Sequence, residues 1–394
     1  MKHLKKALAI LLAAMMLAPA ALAMAADGAD PTKLQFNENG EFKIMLFADP
    51  QDDQDLEETT VAIMCEALDQ YQPDLVIYLG DNAVADAEYQ PDAIRAVTKP
   101  VVDRGIPYSI VFGNHDEEHN ISKEDMLAIY QSLGNCLTYD AAPEITGCGN
   151  CNHPIWSSDG SKIAFNLWMI DSNMYNTDPG MSGYDYVHPD QIEWYKETAK
   201  ALAEQNGGEV VPAMDFQHII IPEIFDKLYL ELPFSLGEAS ENRNGKHYTA
   251  LPVFTRLTGY WLEKPCPPDV YDGQLDAWLE VGDVIAEFNG HDHVNSFMTN
   301  IRGVDVTNVP TVGCNSYFKD INRGAGLITL HEDDVKNYDY EQIRMYDLAL
   351  AEGSNIPNVE GGKIKPYYGL IKFLDTIVIK LFFNVFAFFQ KVLP

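Results

Sequence analysis

The five residues Leu75–Leu79 read Leu-Val-Ile-Tyr-Leu, apolar throughout, and run straight into Gly80-Asp81. A strand with no polar face is covered on both sides, as in a parallel sheet flanked by helices. The pattern recurs: residues 42–47 lead to Asp49, 108–112 to Asn114, 210–216 to His218, and 284–288 to His291 and His293. Between the early strands, residues 57–72 and 93–104 read as helices, the second closed by Gly105. Ser122, with Asp125 three residues on, opens another. Buried strands alternating with helices predict an α/β architecture with a largely parallel first half. Ligands of such sheets collect beyond the carboxyl ends of the strands, where these motifs stand.

The polar groups at those ends are Asp49-Pro50-Gln51, Gly80-Asp81-Asn82, Gly113-Asn114-His115-Asp116, His218 and Gly290-His291-Asp292-His293. Carboxylate, amide and imidazole are ligands that divalent transition metals accept. One Asn or His at a strand end is more often a turn or capping residue; five such motifs in order are not. Phosphoester hydrolysis needs a hydroxide near neutral pH, in-line approach and neutralised phosphoryl oxygens, which two metals about 3.5–4 Å apart supply together. A carboxylate must bridge them. Asp81, at the end of a central strand beside a glycine that permits close backbone approach, is the natural bridge.

Composition narrows the partners. A formal net charge of −32 disfavours a protein that coats nucleic acid polymers, which neutralise with Lys and Arg. A small phosphorylated substrate stays admissible, because bound metals reverse the local field. At the N-terminus Lys2, Lys5 and Lys6 precede an apolar run over 7–17 and small residues at 21–25, which reads as a signal peptide and predicts export to the extracellular space or cell surface. In an oxidising compartment, a disulfide among Cys136, Cys148 and Cys151 is expected. Residues 223–280 read as loop-rich, and His188-Pro189 opens a helix. Residues 370–394 form an apolar tail with its polar residues on one half of a helical wheel. Two readings stay open for it: an amphipathic helix on a membrane surface, and a terminal helix packed on protein. The expected division is 1–25 signal peptide, 33–345 catalytic domain, 346–369 linker and 370–394 terminal helix.

The ordered motifs resemble the calcineurin-like metallophosphoesterase superfamily. Gly183-Tyr184-Asp185-Tyr186, His188-Pro189 and the run Gly290 to Asn295 resemble its purple-acid-phosphatase-related branch. The resemblance spans roughly residues 40–330. It implies a four-layer α/β/β/α sandwich with a dinuclear centre of Mn, Fe or Zn. It places Asp49 and His293 on one metal, Asn114, His218 and His291 on the other, and Asp81 between them. His115 would act as general acid or oxyanion stabiliser, with Asp116 hydrogen-bonded to it. Two positions depart from the pattern. Gln51 stands where His is expected, a weaker ligand than imidazole, and Asp52 or Asp53 is the candidate substitute. Val84 stands where purple acid phosphatases carry Tyr, so no tyrosinate–iron colour is expected.

The expected function is an exported phosphatase or phosphodiesterase using a metal-activated hydroxide. The alternative is a non-catalytic, surface-binding member marked by Gln51. A nucleotidase, with Tyr184, Tyr186 or Tyr248 stacking a base, is a third reading. Asn173, Tyr184 and Asn295 are candidate pocket residues. Arg243 and Arg323 are candidate phosphate clamps, with surface ion pairing as the competing role.

Overall fold

The computed structural model describes residues 33–177, 183–236, 241–250, 257–351 and 353–357. Residues 1–25, expected to be a signal peptide, and the tail 370–394 lie outside them.

The first sheet has strand order β15-β14-β1-β2-β3. Its strands are β1 Glu41–Phe47, β2 Leu75–Leu79, β3 Tyr108–Val111, β14 Gly324–His331 and β15 Asp339–Arg344. The β1, β2 and β3 strands run parallel, joined by helices α1 Glu58–Tyr71 and α2 Gln90–Val102. Helix α3, Lys123–Ser132, begins where its cap predicts: the Ser122 side chain accepts the Asp125 N–H.

The second sheet has order β10-β12-β13-β11-β6-β5-β4. Its strands are β4 Cys151–Trp156, β5 Ile163–Met169, β6 Ala213–Phe216, β10 Thr258–Tyr260, β11 Val284–Asn289, β12 Ser296–Ile301 and β13 Val304–Asn308. The central four, β5, β6, β11 and β13, are parallel. Helix α4, Pro189–Gln205, is entered through a capping box in which His188 N–H donates to Gln191 Oε1.

Side-chain alternation explains the layering. Along β1 and β2, Ile44, Leu46, Ile77 and Leu79 point to one side and meet Phe165, Leu167, Met214, Phe216 and Phe288 of the second sheet. Met45, Phe47, Val76 and Tyr78 point to the other and pack under α1, α2 and α3. The outer face of the second sheet, with Trp168 and Val306, is covered by α4, α5 Glu223–Leu228 and α6 Gln274–Val281. Helices thus flank two sheets packed face to face, which is the four-layer α/β/β/α sandwich expected. Both faces of β2 are buried, hence its lack of any polar residue.

Three expectations are corrected. Residues 223–280 hold α5, α6 and a three-stranded sheet of β7 Tyr229–Leu232, β8 Glu241–Arg243 and β9 Lys246–Ala250. Asn244-Gly245, both at positive φ, turn the β8–β9 hairpin. The folded body also continues past 345. Helix α7, Met345–Ala349, and Ile356 pack in the core beneath α1, so the segment from 346 does not begin as a linker. Finally, all six cysteines are free thiols. Cys148 packs on the helix side of the first sheet, Cys151 lies between the sheets, and Cys136 sits against Tyr108. Burial holds all three thiols above their ordinary range.

Candidate metal centre

Five parallel strands, from both sheets, end at one edge of the sandwich and deliver the motifs there. Asp49 follows β1, Asp81 follows β2, Asn114 follows β3, His218 follows β6 and His291 follows β11. Their backbones are bent to do so. Asp49, Gln51, Asp81 and His291 all have positive φ, at 47°, 44°, 47° and 68°. Such conformations are costly for non-glycine residues and persist where the surroundings fix them. The loops are cross-tied: His291 N–H donates to both Asp49 carboxylate oxygens at 3.1 Å, and His115 N–H donates to Asp81 Oδ1 at 2.8 Å.

Two groups of side chains converge. Asp49, Asp81 and His293 place ligand atoms within 4.8 Å of one another, and so do Asp81, His218 and His291. Asp81 belongs to both, which is what a bridging carboxylate requires. All five residues are buried. Asn114 joins the second group, its Oδ1 lying 3.2 Å from His218 Nε2. Backbone carbonyls orient two of the imidazoles. His218 Nδ1 lies 2.8 Å from Leu79 O, and His293 Nδ1 lies 2.9 Å from Tyr317 O, which leaves each Nε2 facing the carboxylates. His293 also stacks on the Tyr317 ring at 4.2 Å.

The electrostatics call for positive charge. Burial pushes the Asp49 carboxyl up; at Asp81 burial is again the largest single influence, but His218 and His115 together outweigh it and the net shift is downward. Burial alone would pull His218 down, yet Asp81 and then Asp49 lift it to about 10. His293, with burial dominant, falls to about 4, and His291 falls well below its ordinary value, again through burial first and then His218. A neutral imidazole is the ligand form of histidine.

The donor set fits a pair of transition-metal ions. His291 Nε2 and Gln51 Oε1 are buried polar atoms with no hydrogen-bond partner. Buried orphans of this kind call for a ligand or ion. The space is also kept open by glycines: a Cβ at Gly80 would stand 2.5 Å from His218 Nδ1, and one at Gly113 would stand 2.2 Å from Asp81 Oδ1. Asp52 and Asp53 belong to neither convergent group. The Asp52 oxygens accept Asp53 N–H and Glu57 N–H, and an Asp53 oxygen accepts Asp55 N–H.

Asp116 is placed otherwise than expected. Its carboxylate accepts Gly113 N–H at 2.7 Å and Asn82 N–H at 2.9 Å, stitching the β2 and β3 loops together, and makes no bond to His115. Burial, with the Asp81 charge next, pushes Asp116 up to about 6. The acid on His115 is Glu118, with Nδ1 to Oε2 at 2.7 Å. Three consecutive acids follow His115, so the sequence offered no means of choosing among them.

Of the other candidates, Tyr184 does reach the site, its ring edge-on to His291 at 4.4 Å and stacked with Tyr175 at 5.8 Å. Asn173 and Asn295 instead tie down loops, through Tyr186 O and Gln191 and through Leu262 N–H and Glu263 N–H. Tyr186 stacks on His188, and Tyr248 is buried against Phe225. Arg243 and Arg323 are ion-paired, as the competing role has it, Arg243 with Asp269 and Arg323 with Asp320, each at 3.4 Å, but neither arginine lies on the surface. Both are buried, Arg243 over Phe225 and Arg323 over Phe318 beside Cys314 and Met345 sulfur atoms.

This edge-of-sandwich constellation is that of a metallophosphoesterase, and comparison agrees. A model of the calcineurin-like phosphoesterase family matches residues 42–295, and the chain belongs to that family. Curated relatives include two Arabidopsis thaliana proteins. "Probable inactive purple acid phosphatase 14" is 27% identical over 319 residues, 72% of this chain and 74% of that protein. "Probable inactive purple acid phosphatase 29" is 28% identical over 318 residues, 73% and 76%. A dimetal phosphatase of Danio rerio with a solved structure aligns at TM-score 0.45 and 13% identity, over 74% of this chain and 93% of that one.

Proposed function

We propose that the chain is an exported phosphoester hydrolase acting on small phosphorylated substrates through a dinuclear centre of Mn, Fe or Zn. The observation that carries this reading is Asp81, shared between two convergent ligand groups. Asp49, Asp81 and His293 would hold one ion, with Gln51 the added donor; Asp81, Asn114, His218 and His291 would hold the other. Such ions, when bound, supply charge to phosphoryl oxygens and acidify a water.

The protein's own groups do the rest. Leu79 O and Tyr317 O fix the imidazoles, and the buried walls exclude bulk water. His115 is the one imidazole of the set open to solvent, and as the imidazolium, with Nδ1–H held by Glu118, it hands its Nε2 proton to the departing oxygen. The export part of the proposal is supported by the basic and then apolar N-terminal sequence.

A second reading is a metal-binding member without turnover. Gln51 and the names of the relatives favour it. Metal stoichiometry and phosphate release, measured on the same samples of wild type, Asp81→Asn and His291→Ala, separate the two. Hydrolase function predicts about two ions per chain in wild type, with both ions and turnover lost together in the variants. Full turnover in both variants would sink the proposal. Two ions with no turnover would establish the second reading.

A further inference from the structure

A carboxylate only accepts hydrogen bonds, so the His115 nitrogen facing Glu118 Oε2 at 2.7 Å, Nδ1, carries its proton. Nε2 is thereby left free of Glu118, to take up the second proton of the imidazolium and give it away in the reaction. The other oxygen of the same carboxylate, Oε1, accepts the Tyr175 hydroxyl proton at 2.8 Å. With its one proton so placed, the Tyr175 oxygen can only accept from Asn114, and Asn114 Nδ2 donates to it at 3.1 Å. That donation sets the amide: Nδ2 turns to Tyr175 and Oδ1 turns inward, 3.2 Å from His218 Nε2. One acidic side chain therefore governs two residues of the centre. Asp116 does not do this: its oxygens point to the backbone N–H groups of Gly113 and Asn82.

We infer that Glu118 is the positioning residue of this site, fixing the His115 tautomer directly and the Asn114 amide through Tyr175. Its kinetic consequences rest on the hydrolase reading above; its structural consequences do not. Glu118 is partly exposed, so its replacement leaves the core intact.

The decisive measurement is ¹⁵N NMR of the histidine rings in the full, metal-free chain. Wild type should show His115 protonated at Nδ1; Glu118→Ala should lose that preference; Glu118→Gln, which keeps an acceptor oxygen, should fall between. An unchanged His115 spectrum in Glu118→Ala would overturn the inference, whatever the enzyme does. Zn titration adds a second arm. Tyr175→Phe and Glu118→Ala should both weaken binding, by about tenfold on the scale of groups that orient metal ligands, and unchanged affinity in both would overturn the Asn114 half.

Kinetics form the third arm. Proton delivery matters most for poor leaving groups, so Glu118→Ala should lower kcat about tenfold or more on an alkyl phosphate ester. The loss should be smaller on p-nitrophenyl phosphate, with KM little changed. If wild type hydrolyses both and Glu118→Ala loses nothing on the alkyl ester, the positioning role is refuted. If wild type hydrolyses neither while the ¹⁵N shift appears, the hydrolase reading fails and Glu118 keeps its assignment.

Discussion

His218 Nε2 stands 3.2 Å from Asp81 Oδ2, and neither side chain is open to solvent. Two strands from different sheets meet at this contact, and it exists only because glycines flank it. A Cβ at Gly113 would fall 2.2 Å from Asp81 Oδ1 and 2.4 Å from its backbone nitrogen, so the backbone itself would have to move. Gly113→Ala should lower the metal affinity of the chain and destabilise it by about 1–3 kcal/mol, the usual cost of overpacking. Calorimetric Mn titration and a denaturant melt check both; wild-type values in each would show that the cradle is not tight.

Gln51 is the departure from the family pattern at a ligand position, and its buried Oε1 has no hydrogen-bond partner. An imidazole there should bind a transition metal better than an amide oxygen. Gln51→His is expected to tighten the weaker of two metal-binding steps, by about tenfold or more, as single changes around a metal do. Two-site titration with Zn reads this directly. An unchanged weaker step would mean that residue 51 faces away from the metal.

The parts written into local pattern could be read without coordinates. Apolar runs ending in Asp49, Asp81, Asn114, His218 and His291 gave both the parallel strands and the ligand edge, because burial on two faces leaves no room for polar residues. Ser122 and His188 marked helix starts because capping is local. What escaped was set by contacts distant in sequence or by backbone atoms. Glu118 could not be told from Asp116 and Glu117, since only the turn after His115 decides which acid swings back. Tyr317 O orients His293 through a carbonyl that every residue possesses. Asn244-Gly245 did carry a hairpin signal, obscured by the polar residues around it. The cysteines misled because Cys148 and Cys151, though near in sequence, lie in different layers of the core.

Lys123 Nζ bonds both Asp171 oxygens, at 2.9 and 2.8 Å, with the pair almost wholly buried. Asp171 also accepts Cys148 N–H and Asn173 N–H, tying α3 to the loop beside the site. Burial lowers the Lys123 pKa, and Asp171 more than restores it, so the ammonium persists. Lys123→Met leaves the carboxylate buried and unpaired, and should cost about 3–5 kcal/mol. Urea denaturation should show it, and a loss under 1 kcal/mol would contradict the account.

Asp215 and Glu287 face each other across β6 and β11 under the helices, both fully buried, and neither Asp215 oxygen has a partner. Burial, first for both, holds each carboxyl well above its ordinary pKa; Asp283 adds to it at Asp215, and Asp215 does so at Glu287. A raised folded-state pKa stabilises below the unfolded value, near 4, and the contribution is lost as pH climbs toward the folded value. The double variant Asp215→Asn, Glu287→Gln cannot ionise. Its Tm should therefore gain on that of wild type as pH rises from about 4 to 9. A Tm difference independent of pH would show that these carboxyls are not the groups at work.

The central claim is tested most directly by hydrolysis of p-nitrophenyl phosphate and its bis-p-nitrophenyl diester by protein stripped of metal and then resupplied with Mn, Fe or Zn. The account predicts no turnover in the stripped protein and restored turnover with at least one metal, saturating near two ions per chain. Hydrolysis by the stripped protein at the restored rate, or none after two ions are shown to bind, would contradict it.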